Sequence, residues 1–140
     1  MSLHLSNALL QQLVEVDGVC CAYCQTSEQV TGQPLTIDHI QPVVLGGQST
    51  FENLCRACRR CNEFKGAAVV GIDPLTGIEQ PLFNPRRQVW QEHFAWHVAG
   101  VYLEGITAVG RATIIQLQIN NDLITSARRR WVSAGWHPPT

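Results

Sequence analysis

Asp38-His39 is the dipeptide of this chain best equipped for chemistry. A carboxylate is a hard oxygen ligand for a divalent cation, and the neighbouring imidazole can take up a proton near neutrality. Asn62 adds a neutral oxygen donor that could complete a cation site. Arg56, Arg59, Arg60 and Lys65 concentrate positive charge beside it, as a phosphate backbone requires. A base for water, a cation for the scissile phosphate and charge to position the strand are the parts that phosphodiester hydrolysis needs. Taken singly, each residue has a plainer reading: a surface histidine, a helix-capping asparagine, arginines solvated on a helix face.

The same stretch is framed by cysteines. Cys21-x2-Cys24 and Cys58-x2-Cys61 have the spacing that lets one tight turn present two thiolates to a tetrahedral zinc ion. Spacing leaves the register open, because Cys20 adjoins Cys21 and Cys55-x2-Cys58 is an equally good pair. A strand running through Cys55 favours the later pair, which then falls at a strand-to-helix corner. Cys20 and Cys55 are read as small core residues. Disulfides are the weaker reading of six cysteines in a chain this long with no visible export signal.

At 140 residues the chain is expected to be one domain, 1–140, with a core that needs no disulfides. The N-terminal Met1–Leu5 lacks the basic start of a signal peptide, and no apolar run is long enough for a bilayer. A soluble cytoplasmic protein with no membrane partner is therefore the default; oligomeric state is open. The net charge of −1 conceals an asymmetry. Residues 1–55 contain five acids and no Lys or Arg, whereas residues 56–140 carry all ten basic residues against six acids.

These groups need a frame. Ser6 is placed to cap a helix over Asn7–Val16, in which Leu9, Leu10, Leu13 and Val14 recur at helical spacing, and Asp17-Gly18 ends it. Short strands are expected at Val30–Thr31, over Leu35–Ile40, and over Phe51–Arg56 returning antiparallel, with Gly46-Gly47 in the loop between the last two. Arg59–Ala68 reads as a helix. Beyond a turn at Asp73–Gly77, Asn84-Pro85 should start a short helix reaching Trp90, and His93–Val98 and Val101–Ile106 a hairpin about Ala99-Gly100. Two helices close the chain, Ala112–Ile119 and Asp122–Ser133. His93 and His97 are four apart, but the strand-like alternation around them argues against a second metal site, and the four tryptophans are read mainly as core.

Taken in order, Cys21-x2-Cys24, Asp38-His39-Ile40-x-Pro42, Gly46-Gly47, Asn53-Leu54, Cys58-x2-Cys61-Asn62 and Lys65 resemble the HNH nuclease family in its zinc-containing ββα-metal form. The resemblance covers about a third of the chain. It implies an α+β fold: a small ββα-metal core over 18–70 stapled by structural zinc, an N-terminal helix, and a mixed hairpin and helical extension over 71–140.

The resemblance also implies roles. His39 matches the general base, Asp38 a ligand of the catalytic cation, and Asn53 the middle asparagine that steadies the loop and the base. Asn62 stands where many members have a second histidine ligand, and an amide oxygen there favours Mg2+ or Mn2+. Cys21, Cys24, Cys58 and Cys61 match the zinc ligands; Arg56, Arg59, Arg60 and Lys65 become phosphate contacts. One geometric condition attaches to this scheme: neighbours on a regular strand point to opposite faces, so Asp38 and His39 share a site only if the strand bends or ends there. The implied activity is metal-dependent DNA endonuclease cleavage. The alternative is a non-catalytic zinc module that binds nucleic acid or protein; a zinc hydrolase would need an open zinc position, which four cysteines close.

Overall fold

Residues 4–140 are described by a computed structural model. The fold is α+β, with five α-helices and three separate two-stranded antiparallel sheets among these residues.

Helix α1 (Asn7–Asp17) begins where Ser6 Oγ accepts from the Leu9 amide and stops at Gly18, whose positive φ of 65° suits glycine. Only Leu13 of its apolar stripe is fully buried; Leu10, Val14 and Val16 stay exposed. Val30–Thr31 is not a strand. Ser27 caps a single helical turn, α2 (Glu28–Thr31), ended by Gly32 in the left-handed region. The β propensity of Val-Thr gives way here to the local cap and the terminating glycine.

Strands β1 (Thr36–His39) and β2 (Leu54–Ala57) pair antiparallel, with Asp38 opposite Cys55 and His39 opposite Leu54. Their connection contains two 3-10 turns, Val43–Leu45 and Phe51–Asn53, so the second strand is shorter than Phe51–Arg56 suggested. Helix α3 (Arg59–Lys65) follows, with Cys58 as its N-cap, and packs back on β1 to complete a ββα unit.

The extension adds two hairpins. In β3 (Val70–Ile72) and β4 (Glu79–Pro81), Asp73 closes the turn by accepting from the Leu75 amide and the Thr76 hydroxyl. Asn84-Pro85 yields one turn in which Asn84 Oδ1 accepts from the amides of Arg86 and Arg87; the helix expected to Trp90 does not form. Strands β5 (Phe94–His97) and β6 (Tyr102–Gly105) form the last hairpin. Helix α4 (Ala108–Gln116) starts four residues earlier than the apolar pattern indicated, because Thr107 accepts from the Gly110 amide and fixes the start. Helix α5 (Asp122–Ser133) is capped by Asn121.

One apolar cluster runs through both parts. Cys21, Tyr23, Cys55 and Ala57 of the ββα unit are contiguous with Phe83, Phe94, Leu103, Ile114 and Leu117 of the extension. Trp90 is partly buried against it and donates its indole N–H to the Tyr23 carbonyl at 2.8 Å.

Candidate metal centre and active site

The register of the cysteines is resolved by geometry. The Sγ atoms of Cys21, Cys24, Cys58 and Cys61 all lie within 4.8 Å of one another, with Cys24 and Cys58 3.6 Å apart. Four sulfurs on a tetrahedral zinc at about 2.3 Å would be about 3.8 Å apart, so the donor set fits that ion with no open position. Backbone amides of Tyr23 and Cys61 point at Cys21 and Cys58 Sγ at 3.4 Å each. The Thr26 hydroxyl lies 3.1 Å from Cys24 Sγ, and Arg60 Nη2 approaches the same sulfur at 3.8 Å. Such outer contacts offset thiolate charge and orient the ligands. Cys20 and Cys55 are excluded: Cys20 sits on a bridge to Ser27, and Cys55 is buried beside Asp38, its thiol pushed well up by desolvation. Among the described residues this is the one His/Cys/Asp/Glu group arranged to hold a metal; His93 instead meets Thr107 Oγ1 at 2.6 Å.

Strand alternation separates Asp38 from His39. Asp38 faces inward at 3% exposure, where Oδ2 accepts from the Tyr23 hydroxyl at 2.7 Å and Oδ1 from Lys65 Nζ at 3.2 Å. Burial holds its carboxyl above the ordinary value, with the Lys65 charge pulling the other way. His39 is half-buried, and its Nε2 lies 3.0 Å from Ser49 Oγ in the glycine loop. Asn62, on α3, donates its amide to Thr36 Oγ1 at 2.9 Å and to the Ile37 carbonyl at 3.2 Å.

The expected pairing of Asp38 with Asn62 around a catalytic cation is therefore not formed. Both carboxylate oxygens are engaged, and a second cation at Oδ1 would crowd a buried ammonium. These residues, as arranged, do not fit a catalytic Mg2+ or Mn2+.

Asn53 acts where the loop leaves β1. Its Oδ1 accepts from the Gln41 amide at 2.8 Å, while Nδ2 donates to the carbonyls of Gln41 at 3.0 Å and Gln48 at 2.8 Å. A Cβ on Gly47 would lie 1.7 Å from the Gln41 carbonyl oxygen, so only glycine lets the loop close on this clamp.

Three of the four basic candidates are turned into the fold and one is exposed. Arg56 is turned inward, donating to the Gly18 carbonyl and pairing with Glu28 at 3.2 Å. Arg60 faces the cysteine sulfurs, and Lys65 is buried on Asp38. Arg59 is exposed and meets Glu63 at 2.8 Å. A cavity of 840 Å³ lies between the ββα unit and the extension, lined by Gln41, Asn53, Lys65, Asn84 and Arg87 among others. Asn53 and Lys65 reach its wall, whereas His39, Asp38 and Asn62 do not line it. Tyr23 and Ser49 were not legible as site residues: a tyrosine inside a cysteine knuckle and a serine in a loop carry no distinguishing spacing.

The ββα unit carries His39 at the end of its first strand and is closed by four cysteines grouped to hold a structural metal ion. Residues 21–71 match the family model described as HNH endonuclease, and the four-cysteine cluster is consistent with a zinc-binding member of it. No curated protein and no solved structure gives a significant match.

Proposed function

We propose that the protein is a DNA endonuclease that hydrolyses phosphodiester bonds with His39 as general base. The observation that carries this reading is the placement of His39 within the HNH segment: half-exposed at the end of β1, its ring against Ser49, on a loop clamped by Asn53. In its neutral form the imidazole takes a proton from water as that water attacks phosphorus; the P–O3′ bond breaks in line and the departing 3′ oxygen takes a proton from solvent, which leaves a 5′-phosphate and a 3′-hydroxyl. Ser49 orients the ring. Asn53 holds the loop that carries Ser49. Arg59, exposed beside the knuckle, supports contact with the phosphate backbone.

Zn2+ on Cys21, Cys24, Cys58 and Cys61 serves as a closed structural ion. The family resemblance implies Mg2+ or Mn2+ in catalysis, but Asp38 and Asn62, as arranged, do not present it a site.

Plasmid nicking in the presence of Mg2+ or Mn2+, comparing wild type with His39→Ala, tests the proposal. Nicked circles from the wild type, lost in the variant at unchanged zinc content, are expected. A wild type that binds DNA normally but never nicks it would leave the non-catalytic zinc module as the reading.

A further inference from the structure

We propose that Asp38 is a positioning residue and not a ligand of a catalytic cation: with Tyr23 and Lys65 it forms a buried relay that transmits the placement of the cysteine knuckles to the end of β1, from which His39 projects. The inference rests on the reading of His39 as the reacting base.

Tyr23 lies inside the first knuckle. Its amide points at Cys21 Sγ, its carbonyl accepts from Trp90, and its ring is fully buried. The hydroxyl then reaches Asp38 Oδ2 at 2.7 Å, joining the first cysteine pair to β1. Lys65 joins the second pair. It stands one helical turn after Cys61 on α3, so the two side chains share a face.

An ammonium has three protons and no acceptor, and here each proton has an oxygen. Lys65 Nζ reaches Asp38 Oδ1 at 3.2 Å, the His39 carbonyl at 3.0 Å and the Ile40 carbonyl at 3.1 Å. No donor is left for a phosphate. The two consecutive carbonyls fix the backbone on the C-terminal side of His39, and Gln41, the next residue, is held by Asn53. The peptide that carries the imidazole is thus tied to both cysteine pairs and to the glycine loop. A divalent ion on Asp38 would have to displace the Lys65 ammonium from a site with 1% and 3% side-chain exposure.

The test uses the zinc-loaded full chain with Tyr23→Phe, Lys65→Met and Asp38→Asn. Amide hydrogen exchange at Ile40 and Gln41 should accelerate about tenfold in Tyr23→Phe and Lys65→Met, as loss of one charge-assisted hydrogen bond implies, with zinc stoichiometry unchanged. Mn2+ titration followed by electron paramagnetic resonance should give the same result for Asp38→Asn as for wild type. In nicking assays all three variants should lower kcat by similar factors at unchanged half-saturating Mg2+. Unchanged exchange in both Tyr23→Phe and Lys65→Met overturns the proposal, as does Mn2+ binding weakened tenfold or more by Asp38→Asn. Should Lys65→Met not fold, Tyr23→Phe, which loses a single hydroxyl, decides alone. A wild type that never nicks defeats the nuclease reading only, since the exchange and Mn2+ measurements do not depend on turnover.

Discussion

Arg86 binds Asp17 in a two-pronged ion pair, Nη1 to Oδ1 at 2.7 Å and Nη2 to Oδ2 at 2.9 Å, across 69 residues of sequence. The same guanidinium donates to the Phe51 carbonyl and lies over the Phe51 ring at 4.3 Å. One side chain from the extension thereby fastens the end of α1 to the turn that carries Asn53.

Because this pair is 8% and 7% exposed, Asp17→Ala leaves a charge buried without its partner. A loss of about 3 kcal/mol or more in folding free energy is expected from urea denaturation. Arg59→Ala, which removes an exposed pair on α3, should leave the midpoint unchanged.

Zinc content distinguishes the cysteines. Cys58→Ser should lose the ion and much of the far-UV circular dichroism of the HNH segment, since structural zinc supplies folding free energy directly. Cys20→Ala and Cys55→Ala should both retain one zinc per chain. Loss of metal from either would reassign the ligands.

The glycine loop should be intolerant at two positions. Asn53→Ala removes three hydrogen bonds around Gln41 and Gln48 and is expected to cost about 2 kcal/mol, with faster amide exchange over 41–48. Gly47→Ala should impair the same loop by driving a methyl group into the Gln41 carbonyl oxygen and against Asn53 Nδ2, the two atoms that bond to each other in the clamp. Both variants should reduce nicking through kcat.

Below neutrality the C-terminal tail should loosen. His137 is wedged edge-on against Trp96 at 4.6 Å and near Trp131, and burial, reinforced by the Arg128 charge, lowers its pKa to about 4. The unfolded chain, with a value near 6.5, binds the proton first. The stability this seat contributes is therefore full above about pH 6.5 and lost as the pH falls toward 4. Tryptophan emission should change over that window in wild type and remain flat in His137→Phe.

Much of the site was legible in the sequence. Two cysteine pairs, an Asp-His step, paired glycines and Asn53 lie on a short segment, where local spacing constrains geometry tightly. Caps were readable for the same reason: Ser6 and Asn121 do what their side chains dictate. The direction of Asp38 was not readable, because it depends on Tyr23 and Lys65 arriving from other elements to satisfy a carboxylate turned inward. Nor could the surroundings of Arg56 be foreseen, since Gly18 and Glu28 reach it only in the fold. The extension had no such anchors, and there Thr107 moved the start of α4 away from the apolar pattern.

The family match stops at residue 71, yet Tyr23, Cys55 and Ala57 share their apolar cluster with Phe83, Phe94 and Leu117. Excised at that boundary, the segment would carry its metal ligands and His39 but expose a raw hydrophobic flank, and Tyr23 would lose the indole that holds its carbonyl. The boundary of sequence similarity is thus not a seam of the molecule. The HNH segment is not a cassette that can be transplanted alone; a graft must carry the aromatic buttress of residues 82–117 with it.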